Sequence, residues 1–251
     1  MDELENKIKQ NSAEKISEYS EDNFLENYRK KTIEHWWSVY PAIIDSLNAK
    51  NKKILDVGCG NGGLTNAIAK LGAEKIIGVD ISKKWVEFCK KEYSSMNNTD
   101  FYVADAGNLE MVKNESLDYA LLNFVLLHIA EKEKIQKIFS EINRVLKKGG
   151  EFIMSEVHPS ALMANSPIRE TTNFLYKDGS RYKTKIRLID GQWIEFSNVN
   201  WTLETLSELL QESELTIQKI SEPRYINDAQ EIFKNIKIPQ YIIFHCKKLN
   251  Q

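Results

Sequence analysis

Five short runs of aliphatic and β-branched residues, separated by longer stretches of helical periodicity, constrain this chain more than anything else in it. The runs are KILDV (53–57), KIIGVD (75–80), TDFYVA (99–104), LDYALLN (117–123) and EFIMSE (151–156). The clearest helical stretch, EKEKIQKIFSEINRVL, puts Ile135, Ile138, Phe139, Ile142, Val145 and Leu146 on one face, and Gly149-Gly150 is expected to stop it. Strands that alternate with helices pair in parallel, since each crossover helix must pack back on the sheet. Right-handed crossovers then leave only doubly wound topologies. With 251 residues, the chain has room for one large decorated domain rather than two separate ones.

That single domain, 1–251, divides into four parts. Residues 1–50 read as a helical preface, with Phe24, Leu25, Tyr28, Ile33, Trp36, Trp37 and Tyr40 at helical spacings and Pro41 opening the next segment. Residues 51–157 hold the alternating core. From 158 to 200 the rhythm breaks into two extended runs joined by Asp190-Gly191, a strong hairpin signal, so an inserted cap leaves the sheet after strand five. Residues 201–251 return to the core: Thr202 is placed to cap the helix TLETLSELLQ, Glu204 suits its positive end, and two last strands follow. In open α/β sheets, ligands bind at the edge from which this insertion departs.

Charge and composition exclude several classes. A net charge of -2 gives no field that draws the protein to a polyanion, and lysines interleaved with acids read as solvated helix faces. The nearest basic run, RYKTKIR (181–187), reads as one face of the hairpin. Neither nucleic acid nor membrane is expected as a partner, since no stretch approaches the ~20 apolar residues of a membrane span. The N-terminal MDELENKIKQ lacks the apolar core of a signal peptide. Cys59, Cys89 and Cys246, odd in number and far apart, suit free thiols in a reducing cytoplasm and show no metal-ligand spacing.

The turn after strand one, ILDVGCGNGG (54–63), can be read in two ways. Gly58, Gly60 and Gly63 spell the G-x-G-x-x-G of a dinucleotide turn, while Asp56, Gly58, Gly60 and Gly62 spell D-x-G-x-G-x-G. Either way, glycine lets backbone press against a ligand. The readings part at Asp56. A carboxylate there repels a pyrophosphate arriving at the helix N-terminus. S-adenosylmethionine brings no phosphate, but a sulfonium and an ammonium that a carboxylate favours. Asp80 lies 80 − 56 = 24 residues on, at the tip of strand two, where an acid accepts from ribose hydroxyls. Asp105 tips strand three within reach of an adenine amino group, with the Ala106 N–H beside it. Acids at three successive strand tips are more specific than any glycine pattern.

On these residues the chain resembles a class I S-adenosylmethionine-dependent methyltransferase of the Rossmann-like type, in the small-molecule group that includes the ubiquinone and menaquinone C-methyltransferases. LDVGCGNGG, GVDIS, ADAGNLE, LDYALLNFVLLHI and LKKGGEFIMSE are similar to that family's successive motifs in order and spacing across 53–156. The resemblance implies a seven-stranded sheet of order 3-2-1-4-5-7-6, mostly parallel, with the last strand antiparallel. It implies that Asp56, Gly58, Cys59, Gly60, Asn61 and Gly62 surround the methionine part of the cofactor. Asp80 would bind the ribose, Ile81 would pack on the adenine, Asp105 and Ala106 would read its edge, and Asn123 would offer its backbone near the sulfonium. Departures narrow the substrate. Asn123-Phe124-Val125-Leu126 lacks the Pro-Pro-aromatic motif of nucleic-acid amino methyltransferases, no cysteine is placed for cytosine C5 chemistry, and no second acid follows strand four as in aminopropyl transferases.

Methyl transfer from a sulfonium asks chiefly for alignment. A hydroxyl or carbon acid asks also for a base. His158 after strand five and His128 after strand four are the candidates, whereas His35 and His245 fall in the preface and the last strand. Trp36, Trp37 and Tyr40, with Tyr176, Tyr182 and Trp193, are candidates for an apolar lid over the substrate. The expected activity is methylation of oxygen, nitrogen or carbon on a small molecule, without a metal. An NAD(P)-dependent oxidoreductase is the first alternative, weakened by Asp56 and by the lack of a Tyr-x-x-x-Lys pattern after strand four. A non-catalytic binding subunit on the same fold is the second, weakened by the intact motif set.

Overall fold

Every β-branched run named above becomes a strand in the computed structural model, which describes His35 and residues 38–187, 191–225 and 236–249. Helix α1 (Val39–Ser46) precedes β1 (Lys53–Val57), α2 (Gly63–Ala69), β2 (Lys75–Asp80), α3 (Lys83–Glu92), β3 (Thr99–Val103) and β4 (Leu117–Asn123). A 3-10 turn (Leu126–His128), α4 (Lys132–Val145), β5 (Leu146–Val157) and the short α5 (Pro159–Met163) come next. The insertion contributes β6 (Arg169–Thr172), β7 (Arg181–Arg187) and β8 (Trp193–Val199), before α6 (Leu203–Glu212), β9 (Leu215–Ser221) and β10 (Tyr241–Lys248).

Among the described residues the main sheet runs β3-β2-β1-β4-β5-β10-β9, with β1 to β5 parallel and β10 antiparallel to both its neighbours. Counted without the insertion, this is the order 3-2-1-4-5-7-6 with its last strand reversed. Strand side chains alternate, so each central strand feeds two cores. Leu55, Val57, Leu122, Phe152 and Met154 meet Ile135, Phe139 and Ile142 of α4 and Leu206, Leu209 and Leu210 of α6 on one face. Ile54, Ile76, Leu121, Ile153 and Ile243 meet Val39 and Ile43 of α1 and Leu64 and Ile68 of α2 on the other. Leu121 is fully buried, and truncating such a residue to alanine costs ~2–5 kcal/mol. Helix α6 begins as its sequence implies: Thr202 Oγ1 accepts from the Thr205 N–H at 3.2 Å, with Glu204 in the first turn.

Gly149-Gly150 does not stop α4. The helix ends at Val145 and passes directly into β5 at Leu146. Between the pairs Leu117↔Leu146 and Tyr119↔Glu151, β4 advances two residues and β5 five, so residues 147–150 bulge from the ladder. Gly149 is left-handed at φ 70°, and a Cβ on Gly150 would lie 2.9 Å from the Lys147 carbonyl oxygen. The glycines serve the bulge. The helix end is held instead by Lys248, whose ammonium donates to the carbonyls of Asn143 and Leu146 at 2.9 Å each.

The insertion forms a separate antiparallel sheet with β7 in the middle. Across the expected hairpin Arg187 pairs with Trp193, and Gly191 at its tip is left-handed at φ 85°. Asp190 lies outside the described residues, as do Phe24, Leu25, Tyr28, Ile33, Trp36 and Trp37 of the preface. Strand β6 was not expected. Its residues RETT are mostly polar, and it is a strand because it pairs with β7 from Arg169↔Ile186 to Thr172↔Lys183.

Candidate functional site

The glycine turn resolves its own ambiguity through its backbone. Gly58, Gly60 and Gly62 have φ of 71°, 50° and 70°, whereas Gly63 is an ordinary first-turn residue of α2. The positions that need glycine are those of D-x-G-x-G-x-G. A Cβ on Gly58 would lie 2.4 Å from Val125 Cγ2, while one on Gly60 would meet nothing within 4 Å. The turn is stitched to β2 at three points. Gly58 and Cys59 N–H groups donate to the Val79 carbonyl at 2.8 and 3.0 Å, and Gly60 N–H donates to Asp80 Oδ2 at 2.9 Å. Asp80 Oδ1 accepts from the Ser82 N–H at 2.8 Å, so this one carboxylate fixes both the turn and the start of α3.

Around this turn lies a cavity of about 310 Å³. Asp56 of β1 and Gly58, Cys59, Gly60 and Asn61 of the turn after it line it, with Asp80 and Ile81 at the end of β2, Asp105 and Ala106 just past β3, and Asn123 at the end of β4. Gly62 stands just behind, where a Cβ would press on Tyr93 and Cys89. Ile81 is 52% exposed, a large apolar side chain held at the cavity rim. Asp105 Oδ1 accepts from the Gly107 N–H at 2.8 Å, and Asn123 Oδ1 accepts from Ser155 Oγ at 2.7 Å.

Two buried acids set the electrostatics. Burial pushes the Asp56 carboxyl from 3.8 up to about 7, with the hydrogen bond from Thr65 Oγ1 (2.6 Å to Oδ2) pulling back and the Asp80 charge adding to the rise. Burial also raises Asp80, against the two N–H groups that favour its charged form. Among the described residues no group of three or more His, Cys, Asp or Glu side chains could hold a metal ion. Cys59, Cys89 and Cys246 are unpaired and buried.

The acceptor-side residues are sorted differently from their sequence expectation. Tyr40 and His128 line the cavity, the latter from the 3-10 turn after β4. His158 does not. Its Nδ1 accepts from the Ser160 N–H at 3.1 Å to cap α5, and its Nε2 lies 3.2 Å from Glu222 Oε1, so both ring nitrogens are taken. A histidine before a proline caps a helix as readily as it faces a cavity, and here capping wins. Tyr176 likewise uses its hydroxyl to accept from the Leu203 N–H at 3.1 Å and is 45% exposed. Tyr182 is buried under the inserted sheet against Phe174, and Trp193 is 41% exposed at the hairpin. None of these three lines the cavity, so the aromatic lid is not assembled as expected; Trp36 and Trp37 lie outside the described residues.

Three of the lining residues that escaped sequence reasoning stand out. Trp85 on α3 and Lys134 on α4 look like surface positions in lysine-rich helices, yet both face the cavity. Phe124 is the third. It adopts a left-handed φ of 56°, which a bulky side chain rarely does, stacks on the His35 ring at 4.3 Å and meets Tyr241 edge-on at 5.4 Å. Burial, then the nearby Arg169 charge, hold His35 neutral with its pKa lowered to about 3.

Residues 48–214 match the family described as a methyltransferase domain. Over 117 residues (45% of this chain, 48% of that protein) the sequence is 33% identical to a demethylmenaquinone methyltransferase of Staphylococcus saprophyticus. Over 104 residues (41% and 32%) it is 38% identical to a ribosomal protein L11 methyltransferase of Dictyoglomus thermophilum. The first curated relatives are matched over only 32% to 59% of their own length. The fold is similar to that of an S-adenosylmethionine-dependent methyltransferase from Clostridium acetobutylicum, with a TM-score of 0.64 at 19% identity, covering 91% of this chain and 98% of the other.

Proposed function

The chain belongs to the methyltransferase-domain family as a class I, S-adenosylmethionine-dependent enzyme, and we propose that its methyl acceptor is oxygen, nitrogen or carbon of a small molecule. The observation that carries this reading is the glycine turn latched through Gly60 N–H to Asp80, beside a phosphate-repelling Asp56, on one 310 Å³ cavity. Bound there, the cofactor supplies a methyl group already activated on a sulfonium. Everything else falls to the chain.

Asp56 would hold the ammonium end as a carboxylate. Asp80, whose two oxygens each accept one backbone N–H, keeps further lone pairs for ribose hydroxyls. Ile81 and Trp85 offer apolar surface to the adenine, with Asp105 and the Ala106 N–H at its edge. Gly58, Cys59, Asn61, Gly62 and Asn123 shape the remaining wall. Tyr40, Phe124 and His128 stand on the acceptor side of the cavity, and His128 would take the proton of a hydroxyl or carbon-acid acceptor. His158 would act only through the helix it caps.

A small acceptor is favoured because the inserted sheet packs on the turn that carries His128, beside the cavity. The β4 tip Asn123-Phe124-Val125-Leu126 also lacks the Pro-Pro motif of base-amine methylation. No helix among the described residues is long and apolar enough to cross a membrane, and three unpaired cysteines suit a reducing cytoplasm as the place of work. Calorimetry should show S-adenosylhomocysteine binding with micromolar affinity and no heat with NAD or NADP. Incubation with methyl-labelled cofactor and a metabolite extract should yield a labelled small molecule by mass spectrometry. Label appearing only in protein or RNA would overturn the acceptor class, and NAD binding in place of S-adenosylhomocysteine would overturn the cofactor.

A further inference from the structure

Cys59 and Cys89 lie 89 − 59 = 30 residues apart in sequence and meet beneath the glycine turn. With Val86 of α3 and Phe101 of β3 they form a small core of their own. The Cys59 thiol is hydrogen-bonded to Cys89, and the Cys89 thiol donates to the Gly60 carbonyl at 3.2 Å. Gly60 is thus held on both sides, its N–H by Asp80 and its carbonyl by Cys89. At the end of α3, the Tyr93 hydroxyl donates to the next carbonyl, that of Asn61, at 3.1 Å. Two glycines leave the room that the sulfurs fill. A Cβ on Gly62 would lie 2.9 Å from Cys89 Sγ, and one on Gly78 would lie 3.1 Å from Cys59 Sγ.

The two thiols differ in access. Cys59 is 9% exposed and lines the cofactor cavity, whereas Cys89 is fully buried behind it. Cys246, the third cysteine, sits on β10 in the core that faces α4 and α6. A small oxidant entering the empty cavity therefore meets Cys59 first, with Cys89 placed as its resolving thiol. The hydrogen bond to Cys89, then burial, then the Asp56 and Asp80 charges keep the proton on Cys59 and raise its pKa. Thiolate is scarce there, so reaction belongs at the slow end of disulfide chemistry, hours rather than seconds. The pair suits a sustained oxidising condition rather than a brief pulse.

We propose that Cys59 and Cys89 are a redox-modification site: a peroxide converts them to a disulfide that closes the cavity to its ligand, and a bound cofactor shields them. The effect on the cofactor rests on the methyl-transfer reading above. The Cys59 sulfur, as thiolate, takes one oxygen of the peroxide; the O–O bond breaks, and the other oxygen leaves as water. The Cys89 sulfur then attacks the Cys59 sulfur, the S–O bond breaks, and the hydroxyl leaves with the Cys89 proton as a second water. Each sulfur gives up one electron and the peroxide takes two. The new bond draws the sulfurs from hydrogen-bonding contact to about 2.05 Å and takes the donor away from the Gly60 carbonyl. Cys59 is part of the turn, so the turn shifts with it. Such a bond is transient where thiols are kept reduced.

The test uses the whole reduced protein, freed of excess reductant, exposed to millimolar hydrogen peroxide, then unfolded and alkylated. Peptide mass spectrometry should find Cys59 linked to Cys89, and Cys246 alkylated. Calorimetry on the oxidised protein should find S-adenosylhomocysteine bound about tenfold or more weaker, and dithiothreitol should restore it. With free S-adenosylhomocysteine at ~100 times its dissociation constant, oxidation should slow about 100-fold, since only the empty protein reacts. Cys89→Ser removes the resolving thiol, so Cys59 should instead advance to a sulfinic acid that dithiothreitol does not reverse. Absence of the Cys59–Cys89 link, a link that leaves affinity as it was, or oxidation at full rate under saturating S-adenosylhomocysteine would each overturn the proposal. If the reduced protein binds no S-adenosylhomocysteine while the link still forms, the methyl-transfer reading falls and the modification site stands.

Discussion

Raising the pH from 6 to 8 should tighten S-adenosylhomocysteine binding about tenfold, and Asp56→Asn should abolish that dependence. Asp56 is 3% exposed, and burial moves its midpoint from 3.8 to about 7. The free protein therefore holds a proton there at pH 6 and has lost it at pH 8. A ligand ammonium selects the carboxylate, so where a proton is bound it must leave. With the midpoint at about 7, the affinity penalty is a factor of ~11 at pH 6 (1 + 10) and ~1.1 at pH 8, a ratio of ~10 or ~1.4 kcal/mol. Calorimetry in two buffers of different ionisation enthalpy should show ~0.9 proton released per ligand at pH 6 and ~0.1 at pH 8. Stability without ligand has its own sign. The folded carboxyl titrates higher than the unfolded one, so protonation favours the fold. That advantage is complete below 3.8 and is lost as pH rises to about 7, some 3 pH units or ~4 kcal/mol. Asp56→Asn keeps a neutral side chain throughout and should resist urea better than wild type at pH 8, but not at pH 4. An Asn variant with the wild-type pH slope, or binding without proton release, would refute the argument.

Further substitutions probe the rest of the site. Asp80→Ala removes both the proposed ribose contacts and the latch on Gly60 N–H, and should weaken S-adenosylhomocysteine at least tenfold, since each charge-assisted bond carries ~1.5–3 kcal/mol; unchanged calorimetric affinity would void the ribose assignment. Gly58→Ala forces a Cβ to 2.4 Å from Val125 Cγ2 at φ 71° and should cost ~1–3 kcal/mol in denaturant unfolding, with wild-type stability ruling out the strained turn. His128→Ala should slow methyl-label transfer ~100-fold or more at unchanged cofactor affinity. His158→Ala should lower Tm by loss of its cap while label transfer persists, and the opposite pattern would return the proton to His158.

The core was legible where one pressure acts alone. In KILDV, KIIGVD and LDYALLN, burial on both faces demands aliphatic residues throughout, and the strands form at the expected residues. Asp56, Asp80 and Asp105 were legible because a carboxylate inside or just after an aliphatic strand stands out from its neighbours, whether the fold then buries it, as at Asp56, or not. Gly149-Gly150 misled because two structures use the same residues: a helix stop and a strand bulge both want positive φ and no Cβ. Strand β6 was invisible because RETT has no strand pattern of its own and exists by pairing with a neighbour fourteen or so residues away. His158 and His128 are alike in sequence, both following a strand, and only the path of α5 separates them. Trp85 and Lys134 face the cavity because of helix rotation, which lysine-rich surroundings conceal.

The reversed last strand has a consequence for how the protein is made. β5 finds one of its two partners, β4, as soon as it leaves the ribosome, but the other, β10, begins 241 − 157 = 84 residues after β5 ends. At ~5–20 residues per second, that edge stays open for roughly 4 to 17 s of synthesis. The inserted sheet meanwhile completes itself, since β6, β7 and β8 pair only with one another. A nascent chain thus carries a finished appendage beside an unfinished sheet, whose naked edge runs through Ile153 and Met154 and invites pairing with other chains on the same message. Translation speed between Val157 and Tyr241, rather than the stability of the finished fold, sets how long newborn copies remain vulnerable to aggregation.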